Sequence, residues 1–254
     1  MDGAKIDITG GEAIDGFVAA LRRGGLRAFD VTPLLEPGMA AFMQHPTLEI
    51  DSKARTLDEH GYFAQTLTIS EHTGAHIDAP GHIHAGAQTV DELAPDALIR
   101  PYKKLDLSTG AQAGEPIGLD LIKAGEAAAG VQIEAGDIVV LDFGWERYLS
   151  RLDDDGRSWW GRNEPGLAEE GCRYLAEAGV SAVAADTWGC DTCAKEGEVS
   201  GTPGHSTWFL PNGIYIIEGL VGLAQVPPEG LFLALPLKIK GGSGSPLRVV
   251  LLAE

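Results

Sequence analysis

Four of the seven histidines, His72, His76, His82 and His84, fall within thirteen residues, interleaved with Glu71 and Asp78. Gly74 and Pro80 break this stretch, so it does not form a helix, and the His72/His76 spacing is not a helical zinc pattern. His76 and Asp78 stand two apart, which puts both side chains on one face of an extended segment. A turn at Thr73-Gly74 folds His72 back toward that face. Two imidazoles and a carboxylate converging on one point make a borderline nitrogen–oxygen donor set, suited to Zn2+ or Mn2+. Three protein ligands leave a position for water, whose pKa such an ion brings down to about 7, giving a hydroxide nucleophile at neutral pH. His82, just past the Pro80-Gly81 bend, is the candidate general base and acid, because free imidazole titrates near ~6.5. His84 is the weakest of the four and reads as an outer or surface residue. An isolated histidine ordinarily does no more than make a surface hydrogen bond; four in one turn-rich segment are harder to dismiss.

Glu218 ends the apolar run Ile214–Ile217, and a carboxylate entering so apolar a strand needs a partner, for which a metal is suitable. Trp188 and Trp208 are candidates to stack on a planar substrate, against the ordinary reading of large aromatics as core. Trp159-Trp160 reads as a lid or a subunit contact. Cys190 and Cys193 form a Cys-x-x-Cys, but no thioredoxin-like surroundings accompany it, so both read as buried thiols or pocket wall. Ser206 has no Gly-x-Ser-x-Gly elbow around it. Gly241–Pro246 is glycine-rich but lacks Lys-Ser/Thr and a following helix, so it reads as a loop between strands rather than a phosphate loop.

The elements that must hold these residues follow from periodicity. A helix is expected over 11–23, with Ile14, Phe17, Val18 and Leu21 on one stripe and Gly24-Gly25 as its stop. A strand over 26–32 leads into a Pro/Gly-rich loop over 33–47, the kind of long loop that serves binding sites. Strands are expected at 62–70, 102–107, 137–143, 180–185, 213–218, 231–239 and 247–252. Helical stretches are expected at 89–98 and 167–178. Strands outnumber helices, of which there are three or four, so the class is α/β with mixed sheets.

The composition excludes several classes of function. The chain has 254 residues, 44% hydrophobic and 22% charged, which is ordinary for a globular protein. Three cysteines cannot staple a chain of this length. The balance of 19 Lys+Arg against 37 Asp+Glu gives a net charge of −18. With Lys103-Lys104 and Arg22-Arg23 only isolated pairs, neither nucleic acid nor an anionic membrane is an expected partner. No apolar run approaches the ~20 residues of a membrane span. The N-terminus has no signal-peptide pattern, and a cytoplasmic location with reduced thiols is expected.

The segment His72-Thr-Gly-Ala-His-Ile-Asp-Ala-Pro-Gly-His82 resembles the signature His-x-Gly-Thr-His-x-Asp-x-Pro-x-His of the cyclase family of metal-dependent hydrolases, which includes bacterial kynurenine formamidase and isatin hydrolase. Ala75 replaces the family's usual Thr. Asp30–Leu35 resembles the family's opening strand, and Gly136–Trp145, Gly179–Thr187, His205–Leu220 and Leu235–Arg248 resemble further elements of it, so the likeness runs from about residue 30 to the end. It implies the family's swivelling β/β/α fold, as one domain over 30–254 preceded by a helical extension over 1–29. It also implies that His72, His76 and Asp78 bind a first ion and that His82 is the proton donor and acceptor. In two-zinc members His205 and Glu218 complete a bridged pair; manganese members use one ion, so Zn2+ or Mn2+, one or two per subunit, is expected. The assembly implied is a homodimer or homotetramer. The activity implied is hydrolysis of an amide, imide or lactone bond in a small cyclic or aryl substrate. A lactone hydrolase or a ring-closing cyclase on the same site, and a non-catalytic metal- or ligand-binding protein, are the alternatives. Phe42 is the aromatic nearest to the family's substrate-loop Trp, and Asp186–Cys193 departs from the family's pattern, so substrate identity is not carried over from the formamidases.

Overall fold

The computed structural model describes residues 11–41 and 48–254. Phe42, expected at the substrate, lies outside the described residues. Helix α1 (Gly11–Arg23) forms where the apolar spacing predicts it, but Ile14, Phe17 and Leu21 of its stripe face outward.

Nine strands make the main sheet: β1 (Arg27–Asp30), β2 (His76–Asp78), β3 (Ile99–Asp106), β4 (Ile138–Asp142), β5 (Ala182–Ala185), β6 (Tyr215–Glu218), β7 (Glu229–Ala234), β8 (Gly244–Pro246) and β9 (Val249–Ala253). Their order is β1-β9-β7-β3-β4-β5-β6-β2-β8. The four central strands, β3 to β6, run parallel. Both wings are antiparallel. The fold is α/β with a mixed sheet and few helices.

Strands β4 and β5 are buried along their whole length and apolar but for the terminal Asp142, because both of their faces are covered. Val139, Leu141, Val183, Ala185 and Ile216 turn to one core, against Ile122 of helix α3 (Leu119–Ala129) and Cys172 and Leu175 of helix α4 (Glu169–Glu177). Ile138, Val140, Ala182, Ala184 and Ile217 turn to the other, with Phe232, Val249 and Leu251. The remaining α-helix among the described residues, α2 (Leu57–His60), is a single turn within an outlying hairpin of two antiparallel strands, Glu49–Arg55 and Ala64–Thr68.

Two expectations need correction. The stretch 89–98 contains one 3-10 turn, Val90–Glu92, rather than a longer helix. Pro95 drives the residue before it out of helical geometry. Helix α3 was not expected, because Gly125 reads as a breaker in its middle. A Cβ at position 125 would lie 2.7 Å from Leu107 Cδ2 and 3.3 Å from Leu105 Cβ, so the glycine is what lets this helix close on the sheet.

Candidate metal centre and active site

Strand register assembles the first part of the site. His76 pairs with Glu218 and Asp78 with Ile216, while Ile77 pairs with Ile217 on the opposite face. Strand alternation therefore puts His76, Asp78 and Glu218 on one side of β2 and β6. All three are buried. His76 Nε2 lies 3.6 Å from Asp78 Oδ1 and 3.3 Å from Glu218 Oε2.

The turn at Thr73-Gly74 brings His72 over this face, with Nδ1 2.6 Å from Asp78 Oδ1. Gly74 supplies the positive φ the turn requires. A one-turn π-helix, Gly204–Trp208, delivers His205 from the other side. Its Nε2 lies 3.2 Å from Asp78 Oδ2 and 3.5 Å from Glu218 Oε1. The 3-10 turn Pro80–His82 carries His82 to 4.0 Å from Asp78 Oδ2, with its ring centroid 4.2 Å from that of His72. Asp78 thus stands between the four rings. The expected residues His72, His76, Asp78, His82, His205 and Glu218 are brought together. His84 is an outer residue, its Nε2 3.2 Å from the His205 carbonyl.

The electrostatics are those of a cluster short of positive charge. Burial alone would suppress the charged form of His76, yet Glu218 and Asp78 outweigh it and raise the pKa. Burial opposes charge on His205 as well, but Asp191 and Asp78 hold its pKa well above the ordinary value. Burial pushes Asp78 upward, but the facing rings of His205 and His72 hold it well below the usual range. Glu218 is raised, by burial first and by Asp78 second. His82 is the exception among the rings: burial takes it down to about 4, only partly offset by Asp78.

Asp78 Oδ1 and Glu218 Oε1 are buried and receive no hydrogen bond among the described residues. Leaving a buried carboxylate oxygen unsatisfied is costly. A divalent cation is what this donor set lacks. Candidate ligand atoms lie within 4.8 Å of one another in two groups, His72/Asp78/His82 and His76/Asp78/Glu218. Asp78 belongs to both, as a bridging carboxylate would.

Three residues that sequence reading missed as site residues hold the rings from outside. Asp191 Oδ1 accepts from His205 Nδ1 at 2.5 Å, and its Oδ2 accepts the N–H groups of Gly204 and His205. Ser243 Oγ lies 2.8 Å from His72 Nε2, and Glu71 accepts from Ser243. Glu71 carried a sequence signal in its place beside the histidine cluster, and Asp191 in its place between Cys190 and Cys193. Both of those cysteines are buried free thiols.

Trp188 sits beside the cluster, its ring 5.3 Å from His76. With Gly74 and Gly219 it lines a cavity of about 1020 Å3, whose walls include Met39, Leu149, Leu152 and Trp160. Trp160 is buried there and packs edge-on against Trp188. Trp208 packs against the helix-side core and does not line this cavity.

The family model described as "Putative cyclase" matches residues 29–192. A kynurenine formamidase from Salinibacter ruber is 31% identical, over 78% of this chain and 83% of its own. An isatin hydrolase from Roseibium aggregatum is 29% identical over 94% of this chain and 97% of its own. The solved structure of isatin hydrolase A from Ralstonia solanacearum superposes with a TM-score of 0.82 at 29% identity, covering 97% of this chain and 99% of that one.

Proposed function

The chain belongs to the cyclase family, and we propose that it is a metal-dependent hydrolase opening an amide, imide or lactone bond in a small cyclic or aryl substrate. The observation that carries the reading is the pair of buried carboxylate oxygens of Asp78 and Glu218, without a hydrogen bond among the described residues, amid histidines and beside Trp188, which lines an aromatic-walled cavity. His72, His76 and Asp78 would hold a first divalent ion, Zn2+ or Mn2+, and Asp78, His205 and Glu218 a second. When bound, the metal supplies Lewis acidity toward the substrate carbonyl and toward water.

The chain's own residues do the rest. Neutral at physiological pH, His82 takes a proton from the attacking water on a ring nitrogen. The same ring then returns the proton to the leaving nitrogen or oxygen as the C–N or C–O bond breaks. Trp188 and Trp160 offer flat apolar surface to an aryl ring and keep bulk water from the reacting carbonyl. No described helix is long and apolar enough to cross a membrane; the protein is cytoplasmic in this reading. The outlying hairpin exposes Leu57, Tyr62, Phe63 and Leu67, which suits burial against another subunit in a homodimer or homotetramer.

The test is metal analysis of the purified protein beside His205→Ala, combined with a panel of aryl formamides, cyclic imides and lactones. Two equivalents falling to one on mutation fit a bridged pair of ions; one equivalent in both assigns the work to His72, His76 and Asp78. No metal uptake from Zn2+ or Mn2+, or no turnover across the panel by the loaded protein, overturns the reading. A preference for lactones over amides moves it to the lactone-hydrolase alternative.

A further inference from the structure

We propose that the glycine-rich loop Gly241–Gly244 is a working part of the metal centre, and that Ser243 and Glu71 are positioning residues that fix which ring nitrogen of His72 faces the ligand cluster. The inference rests on the proposed metal-binding reading but makes a separate claim.

The argument is one of proton counting. The Ser243 hydroxyl donates to Glu71 Oε2 at 2.7 Å, and the Ser243 backbone N–H donates to the same oxygen at 2.9 Å. A serine hydroxyl has one proton, and here Glu71 receives it. Toward His72 Nε2, at 2.8 Å, Ser243 Oγ is then left as an acceptor. His72 must therefore carry a proton on Nε2, which makes Nδ1 the nitrogen available to an ion. Nδ1 is the nitrogen that faces the cluster, 2.6 Å from Asp78 Oδ1.

The other two rings are set the opposite way. His76 Nδ1 is held by the Gly74 carbonyl at 2.9 Å, and His205 Nδ1 by Asp191 at 2.5 Å. Each therefore presents Nε2 to the cluster. His72 alone of the three presents Nδ1, and the Glu71–Ser243 pair, 172 residues apart in sequence, is what sets it so.

The glycines of the loop are there for close approach. A Cβ at position 244 would lie 2.7 Å from His72 Cε1 and 2.5 Å from the Ile77 carbonyl, and one at position 242 would lie 2.9 Å from Glu71 Oε1. Main-chain bonds fasten the loop on both sides of His82. The Ser243 carbonyl accepts from Ala79 N–H and the Gly242 carbonyl from Val90 N–H, each at 2.9 Å. The pattern that is no phosphate loop by sequence is a cradle for a metal-binding histidine. Outer partners of this kind orient a ligand and raise its basicity, and their loss typically costs ~10–100-fold in metal affinity.

The experiment measures binding of Zn2+ and Mn2+ alone, by competition with a fluorescent chelator, together with 15N spectra of histidine-labelled, Zn2+-loaded protein. In wild type, the ring signal that disappears in His72→Ala reads as protonated at Nε2 and coordinated through Nδ1. Ser243→Ala binds both metals ~10–100-fold more weakly. Glu71→Gln, which keeps an acceptor for the hydroxyl but not its charge, falls between. A His72 ring protonated at Nδ1, or a Ser243→Ala protein with wild-type affinity for both metals, overturns the proposal. Should Ser243→Ala fail to fold, the wild-type spectrum and Glu71→Gln still decide it. A wild-type protein that binds neither metal overturns the hydrolase reading instead, so the two failures are told apart.

Discussion

His82 differs from the rings around it in what holds it. His72, His76 and His205 are each fixed by an outer hydrogen bond, to Ser243, the Gly74 carbonyl and Asp191. Among the described residues no hydrogen bond fixes the His82 ring, and a quarter of its side chain is exposed. A fixed ring suits a ligand, and a ring with room to turn suits a proton carrier. His82→Ala should therefore lower kcat by ~10^2–10^4 while leaving metal content unchanged. His76→Ala should lose metal and turnover together. Elemental analysis beside kinetics separates the two, and metal loss in His82→Ala would make His82 a ligand of the His72/Asp78/His82 group instead. Asp191→Asn tests the outer shell: an amide in place of the acceptor facing His205 Nδ1 should weaken binding of one ion by ~10–100-fold, read by chelator competition. The histidine-rich segment was legible because its histidines are neighbours in sequence and His76 and Asp78 alternate on one strand. Glu71, Ser243 and Asp191 were not, because their roles arise where distant segments meet, and a serine in a glycine-rich loop carries no mark of the ring it will touch.

The elements repeat this division between local and non-local signals. Parallel strands such as Ala182–Ala185 were legible because burial on both faces leaves a continuous apolar run. Helix α3 was not, because the property that lets Gly125 pack against Leu105 and Leu107 is the one that marks a helix breaker in a bare sequence. The junction of β6 with the His72–His76 turn is a second close approach of this kind. Gly219 has φ +70, and a Cβ there would fall 2.5 Å from the Gly74 carbonyl, the group that holds His76 Nδ1. Gly219→Ala meets strain of about 1–2 kcal/mol from left-handed backbone and about 1–3 kcal/mol from crowding. It should lower the thermal midpoint by several degrees and weaken metal binding as well, because the atom it displaces is the one that orients a ligand. A variant with wild-type melting and wild-type metal affinity would show that the turn is looser than this contact requires.

At the scale of the whole molecule, the fold keeps carboxylates out of water in more places than the metal centre. Glu164 is fully buried, Trp188 N–H donates to its Oε2 at 2.6 Å, and burial holds its pKa well above the usual range. The sign of its effect on stability follows from linkage. The folded state favours the protonated acid, so no penalty exists below the unfolded value of about 4.3. Above it the unfolded chain gives up the proton more readily, and stability falls as pH rises toward the elevated folded pKa. Glu164→Gln keeps an acceptor for Trp188 N–H and abolishes the titration. Its thermal midpoint should exceed that of wild type at pH 8, with the difference shrinking toward pH 4.5; an equal difference at both would mean that the carboxyl has no elevated pKa. The metal centre is governed by a larger version of the same imbalance, since Asp78 and Glu218 share one buried cluster and a bound divalent ion would supply the missing positive charge. Metal that binds only the folded state stabilises it by mass action, about 2.7 kcal/mol at a hundredfold excess over Kd. For a chain of this length ~2–4 °C accompanies each kcal/mol. Chelation of the loaded protein should therefore lower its midpoint by about 5–11 °C, and Zn2+ or Mn2+ should restore it. In His76→Ala the chelator should have much less effect, because the site it empties is already broken; an undiminished shift there would place the stabilising ion elsewhere in the molecule.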